Sequence, residues 1–182
     1  MNTDLSFAFF GTPDVASKTL ELLAAAGYIP KIIVTSPDRP SGRGMQRAMT
    51  PVAQWAEAHR ITCLKPEKIT PEFIETLDQY GIDLSIVVAY GKILPQALIE
   101  KPALGTLNIH YSLLPHYRGA SPVEEALLQG DAMTGIAIQQ MAYKLDTGAL
   151  LAIEEVPITI THRKLELRER LIKIGGDLLV KT

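Results

Sequence analysis

Asn108 and His110 are of types that can stabilise developing negative charge, one through an amide N–H and the other through an imidazole whose two nitrogens can both donate. They fall in Thr106 to His110, a stretch that reads as a strand. Residues two apart on a strand share a face, so the amide and the ring point one way and Ile109 points the other. Polar groups at the end of an open α/β sheet commonly face the ligand crevice. Ser112-Leu113-Leu114-Pro115 follows, then Arg118-Gly119: an apolar loop beside a polar pair, able to line a pocket for a flat ligand. The same spacing also suits a strand end whose Asn and His only satisfy backbone groups.

Asp146-Thr147-Gly148 lies between two alternating segments, where it can serve simply as a turn. An aspartic-protease pair needs a second Asp-Ser/Thr-Gly to share the proton, and the sequence has none. Gly11 follows the first apolar run alone, without the G-x-G-x-x-G of a dinucleotide site. Arg39, Arg43 and Arg47 recur with Gly42 and Gly44 in a long loop, giving a flexible basic arm suited to phosphate, or else a solvated surface loop. His59, His110, His116 and His162 are scattered without metal-ligand spacing, so no metal is expected.

Alternating β-rich and helical segments must hold these residues, a pattern that predicts helices packed on a largely parallel sheet. Phe7 to Phe10 reads as the first strand and Lys31 to Thr35 as the second. Thr12-Pro13, Thr50-Pro51 and Thr70-Pro71 each pair an N-cap with a proline at the first helical position, predicting helices that end near Gly27, His59 and Tyr80. Ile61 to Leu64 is a short strand, and Asp83 to Tyr90 has the continuous apolar character of one buried on both faces. Residues 36 to 50 form the long Pro/Gly/Arg loop. Ser121-Pro122-Val123-Glu124 fits a capping box for a helix to Gly130. Strands near Thr134 to Met141 and Ala149 to Pro157 follow, and a last helix begins after Thr161.

With 182 residues, 47% of them hydrophobic, the expectation is one domain over 1–182 with a well-buried core. Eighteen Lys and Arg against 20 Asp and Glu give a net charge of -2, so any nucleic-acid partner needs a local basic patch. The lone Cys63 cannot form an internal disulfide, which fits a reducing cytoplasm. The N-terminus lacks a basic n-region, and no apolar stretch approaches the roughly 20 residues that span a bilayer, so neither a signal peptide nor a membrane association is expected.

In order along the chain, these segments resemble the methionyl-tRNA formyltransferase family of the formyltetrahydrofolate-dependent transferases. The resemblance rests on Phe9-Phe10-Gly11-Thr12-Pro13, on Pro37 to Gly44, on Ala89-Tyr90-Gly91-Lys92-Ile93-Leu94-Pro95, on Asn108 to Pro115, on Arg118 to Pro122 and on Leu145-Asp146-Thr147-Gly148. It implies a Rossmann-like formyltransferase core, a mostly parallel central sheet with helices on both faces. It further implies 10-formyltetrahydrofolate as donor and the amino group of methionyl initiator tRNA as acceptor. Asn108, His110 and Asp146 are then catalytic, Ser112, Leu113, Leu114 and Pro115 contact the folate, and the 36 to 50 loop with Arg39, Arg43 and Arg47 meets the tRNA acceptor arm. Tyr111 stands where related sequences usually carry a small residue, which bears on pocket shape. Met45-Gln46-Arg47 replaces the paired lysines often found there. The chain stops directly after a helical pattern, which suggests a cut or shortened protein without the family's C-terminal domain.

The chemistry implied is attack of an amine on a formyl carbon, with charge gathering on oxygen in a tetrahedral intermediate. Asn108 and His110 would donate to that oxygen, and Asp146 beside His110 would favour the imidazolium and order a proton-relaying water. A sugar-nucleotide N-formyltransferase would share Asn, His and Asp. A folate- or RNA-binding module without catalysis would not need all three.

Overall fold

The computed structural model describes residues 5–41, 46–159 and 163–182. They are an α/β protein that divides into two compact units, 1–106 and 107–182. The first unit runs β1 (Phe7–Gly11), α1 (Asp14–Ala25), β2 (Ile32–Val34), β3 (Arg39–Ser41), β4 (Gln46–Ala48), α2 (Pro51–Ala58), β5 (Cys63–Leu64), α3 (Pro71–Asp78), β6 (Leu84–Val88) and α4 (Gln96–Ile99). Its strands β5, β2, β1 and β6 lie side by side in that order and pair in parallel. Every residue of β1 and β6 is buried, which is why both segments lack polar alternation.

Two local expectations give way to tertiary bonds. Thr12 does not cap α1; its hydroxyl donates to the Tyr90 carbonyl at 2.9 Å, and Pro13 takes the cap position. The 36 to 50 segment is no irregular arm throughout, since β3 and β4 pair antiparallel with Arg39 opposite Ala48 and Pro40 opposite Arg47. Pairing satisfies backbone groups that a coil would leave to water.

Thr50 behaves as its sequence context predicts, accepting from Ala53 N at 3.0 Å with Pro51 opening α2. It also shares a 2.9 Å hydroxyl bond with Thr35. Thr50→Ala is therefore expected to lower unfolding free energy by about 1 to 2 kcal/mol, the range of a lost N-cap. Urea titration checks this, and an unchanged midpoint would mean the cap contributes nothing.

The second unit holds β7 (Thr106–His110) from Leu107 onward, α5 (Pro122–Gln129), β8 (Met133–Gln140), β9 (Leu150–Pro157) and α6 (Lys164–Lys181). Here β7, β8 and β9 pair antiparallel. The long α6 buries Leu167, Leu171, Gly175 and Leu179 at intervals of one turn, a single apolar stripe. A side chain at Gly175 would press on Ile136, Ile109 and the Tyr111 ring at 3.3 to 3.5 Å. Tyr111 is thus turned against α6, so its bulk fills the core beneath the helix. Ser121 does not close the expected capping box. Glu124 instead bonds Lys164 at 2.7 Å, and that hydrogen bond holds its carboxyl below the usual range. No helix among the described residues is long and apolar enough to cross a membrane.

Candidate active site

β7 delivers Asn108 and His110 to one face, as their spacing predicts, with Ile109 buried on the other. His110 ends the strand and is 6% exposed. Its Nε2 lies 2.9 Å from the Tyr117 carbonyl, which can only accept, so Nε2 carries a hydrogen. Nδ1 is left facing Asp146, 3.8 Å from Oδ1: an ionic spacing, beyond hydrogen-bond reach. The half-buried Asn108 amide has no hydrogen-bond partner among the described residues and can turn to a ligand.

Asp146 comes from the turn between β8 and β9. Its backbone is left-handed at φ 48°, a conformation Asp tolerates better than most residues. Three donors hold it there. Gly119 N reaches Oδ2 at 2.8 Å, Gln139 Nε2 reaches Oδ1 at 2.9 Å, and Arg118 Nε reaches the main-chain carbonyl at 2.9 Å. Gly148 lets this turn fold back on β8, because a Cβ there would collide with the Gln140 carbonyl. The residue is both the turn and the site, two roles that its sequence context could not separate.

The loop after β7 is built by its own bonds. Ser112 is fully buried, and its hydroxyl donates to the His116 carbonyl at 2.5 Å. Leu113 packs where a Gly135 side chain would collide, Leu114 is buried ahead of a cis bond to Pro115, and Pro115 itself is exposed. Tyr117 is pinned through its hydroxyl to Asp131 at 2.6 Å, a hydrogen bond that pushes the phenol above its ordinary range. That anchor fixes the carbonyl on which His110 rests.

Of the arginines, Arg39 is exposed at the start of β3. Arg47 is placed by its backbone opposite Pro40, and Arg43 lies outside the described residues. The first unit also has a cleft of about 490 Å³ at the carboxyl ends of β1, β2 and β6, lined by Thr12, Ser36, Arg39, Thr50, Tyr90 and Gly91. Ligands of open parallel sheets bind at such ends, where strand order reverses around the first strand. No three His, Cys, Asp or Glu side chains among the described residues gather as a metal would require.

Gln139 and Tyr117, which bond Asp146 and His110, are neighbours of the candidate site that the sequence reading missed. The alternation of β8 did carry a signal for Gln139, because it puts this amide on the face of Gly135 and Ala137. Only the pairing of Asn108 with Gln139 shows that this face is the one that carries Asn108 and His110.

An amide and a buried His–Asp pair thus meet at the end of a strand in an α/β chain. The chain belongs to the formyl transferase family, whose model matches residues 6–182. Proteins named methionyl-tRNA formyltransferase are among the relatives it matches. The chain is 47% identical to that of Thiobacillus denitrificans over 175 residues, covering 96% of this chain and 57% of the relative. It is 44% identical to that of Halorhodospira halophila over 172 residues, covering 94% and 56%. The chain thus spans less than two thirds of the length of the curated relatives it matches. Among solved structures, phosphoribosylglycinamide formyltransferase from Bacillus halodurans superposes with a TM-score of 0.80 at 21% identity, over 96% of this chain and 91% of that one. A sugar N-formyltransferase from a Shewanella species gives 0.70 at 19%, over 97% and 67%. These likenesses show the fold, the mostly parallel, Rossmann-like α/β architecture of formyltransferases.

Proposed function

We propose that this chain carries the chemistry that moves the formyl group of 10-formyltetrahydrofolate to the amino group of methionyl initiator tRNA. The observation that supports this most directly is the pinned imidazole. With Nε2–H held by Tyr117, Nδ1 of the protonated ring and the unpartnered Asn108 amide are the groups on this face that can donate to an oxygen gaining charge. One well-aimed donor of that kind is worth roughly 3 to 4 kcal/mol at a transition state. Asp146, tied at both carboxylate oxygens, pairs electrostatically with the ring.

The residues fit a flat folate co-substrate. Half-buried Leu113 and exposed Pro115 offer apolar contact beside the polar set, while Ser112 shapes the loop through His116 instead of presenting its hydroxyl. The acceptor end of a tRNA brings phosphates, for which Arg39 at the first unit's cleft is suited, with Arg43 and Arg47 in the same segment.

Two experiments test the reading. Offered 10-formyltetrahydrofolate together with methionyl-tRNA or an amino-sugar nucleotide, the protein is expected to formylate the tRNA; formylation of the sugar alone would overturn the acceptor. Arg39→Glu with Arg43→Glu should weaken tRNA use and flatten its salt dependence, because phosphate contacts release counterions. Activity on a small amine should survive. Equal loss on both acceptors would show that the segment serves the donor pocket or the fold.

A further inference from the structure

Gln139 lies on β8 directly across from Asn108 and is 2% exposed. Its Nε2 donates to Asp146 Oδ1 at 2.9 Å. That contact decides which way the amide faces, since the reversed orientation would set its oxygen against a carboxylate oxygen. The amide oxygen is consequently buried with no partner among the described residues. An unsatisfied buried carbonyl opposes folding, and an apolar side chain beside Gly135 and Ala137 would avoid that cost. The amide therefore answers to something other than the stability of β8.

Asp146 Oδ1 is also the atom that faces His110, 3.8 Å from Nδ1, while Oδ2 accepts from Gly119 N. Both carboxylate oxygens are thus taken by neutral donors. Released from Gln139, the carboxylate would need to move only about 1 Å to reach hydrogen-bonding distance of Nδ1. When the ring is the imidazolium, a charge-assisted bond there would capture the Nδ1 proton, the one that Tyr117 does not hold.

We propose that Gln139 is a positioning residue that holds the Asp146 carboxylate at ionic distance from His110, keeping the Nδ1 proton of the imidazolium available to the substrate oxygen. Its chemical purpose rests on the formyl-transfer reading; the tether itself does not.

Gln139→Met keeps the length and removes the donor. Turnover should fall roughly 10- to 100-fold, the cost of a misplacement near 1 Å. KM for either substrate should change less than about threefold, since ground-state contacts are untouched. A new downfield ring N–H proton signal should appear for His110 in nitrogen-edited NMR spectra as the carboxylate closes on it. If the methionine variant does not fold, Gln139→Leu, close in volume and likewise without a donor, supplies the same comparison. Thr134→Val is the control: it removes a buried, unpartnered hydroxyl from the other face of the same strand and should change neither turnover nor the His110 signal. Parent-like turnover and spectra in the Gln139 variant would overturn the proposal, as would equal activity loss in the control with no change at His110. A parent that formylates no acceptor would remove the formyl-transfer reading, and the NMR comparison would still decide whether Gln139 is the tether.

Discussion

Alanine at Asn108, His110 or Asp146 is expected to lower turnover by roughly 100-fold or more in each case, the loss that follows removal of one oriented transition-state donor. Folate affinity should change little, because these groups meet charge that develops only during reaction. His110→Ala removes the ring that Tyr117 and Asp146 jointly orient, and Asp146→Ala leaves the ring held by Tyr117 alone. The two act as a unit, so the double variant should be little worse than His110→Ala. The Asn108 side-chain amide has no hydrogen-bond partner among the described residues and should combine with either more nearly additively. Steady-state kinetics with calorimetric folate binding tests this. Three variants within a few-fold of the parent would show that the pair and the amide are structural features of a strand end.

Gly148→Ala should be nearly as damaging to turnover as loss of Asp146, on the order of 100-fold, because it moves the residue that supplies the carboxylate. The added Cβ would meet the Gln140 carbonyl in the place where the turn folds against the end of β8, beside the 2.9 Å bond from Gln140 N to the Ala149 carbonyl. Relief requires the turn to lift, and Asp146 sits two residues away. Overpacking of that kind typically costs about 1 to 3 kcal/mol of stability. Gly130→Ala separates the two effects. Gly130 is left-handed at φ 71° with open space around it, so alanine there should cost about 1 kcal/mol and leave turnover alone. Parent-like activity in Gly148→Ala would mean that the turn can shift without moving the carboxylate, or that the carboxylate is not needed.

The site was legible in the sequence to unequal degrees. Period-two alternation suffices to put Asn108 and His110 on one face, because that relation is local to one strand. Asp146 was visible as a turn residue, and the resemblance alone joined it to His110 across a gap of thirty-odd residues. Gln139 stayed hidden for the same reason. Its amide matters only through the register that sets it opposite Asn108, and register is a relation between strands. Thr12 and Ser121 show the converse. Both match local cap signals, and neither side chain caps its helix; Thr12 has a stronger offer from the Tyr90 carbonyl across the first unit.

By itself, then, the sequence determined the class of elements, the buried parallel strands β1 and β6, and the caps at Thr50 and Thr70, each governed by short-range periodicity and backbone hydrogen bonding. Tertiary structure alone decided the hairpin of β3 and β4, the turning of Tyr111 onto α6, and the tethers that set His110 and Asp146 at 3.8 Å. Those depend on strand register, on close approach at Gly148 and Gly175, and on a left-handed Asp146. Each is fixed by groups distant in sequence competing for the same hydrogen bonds and the same space.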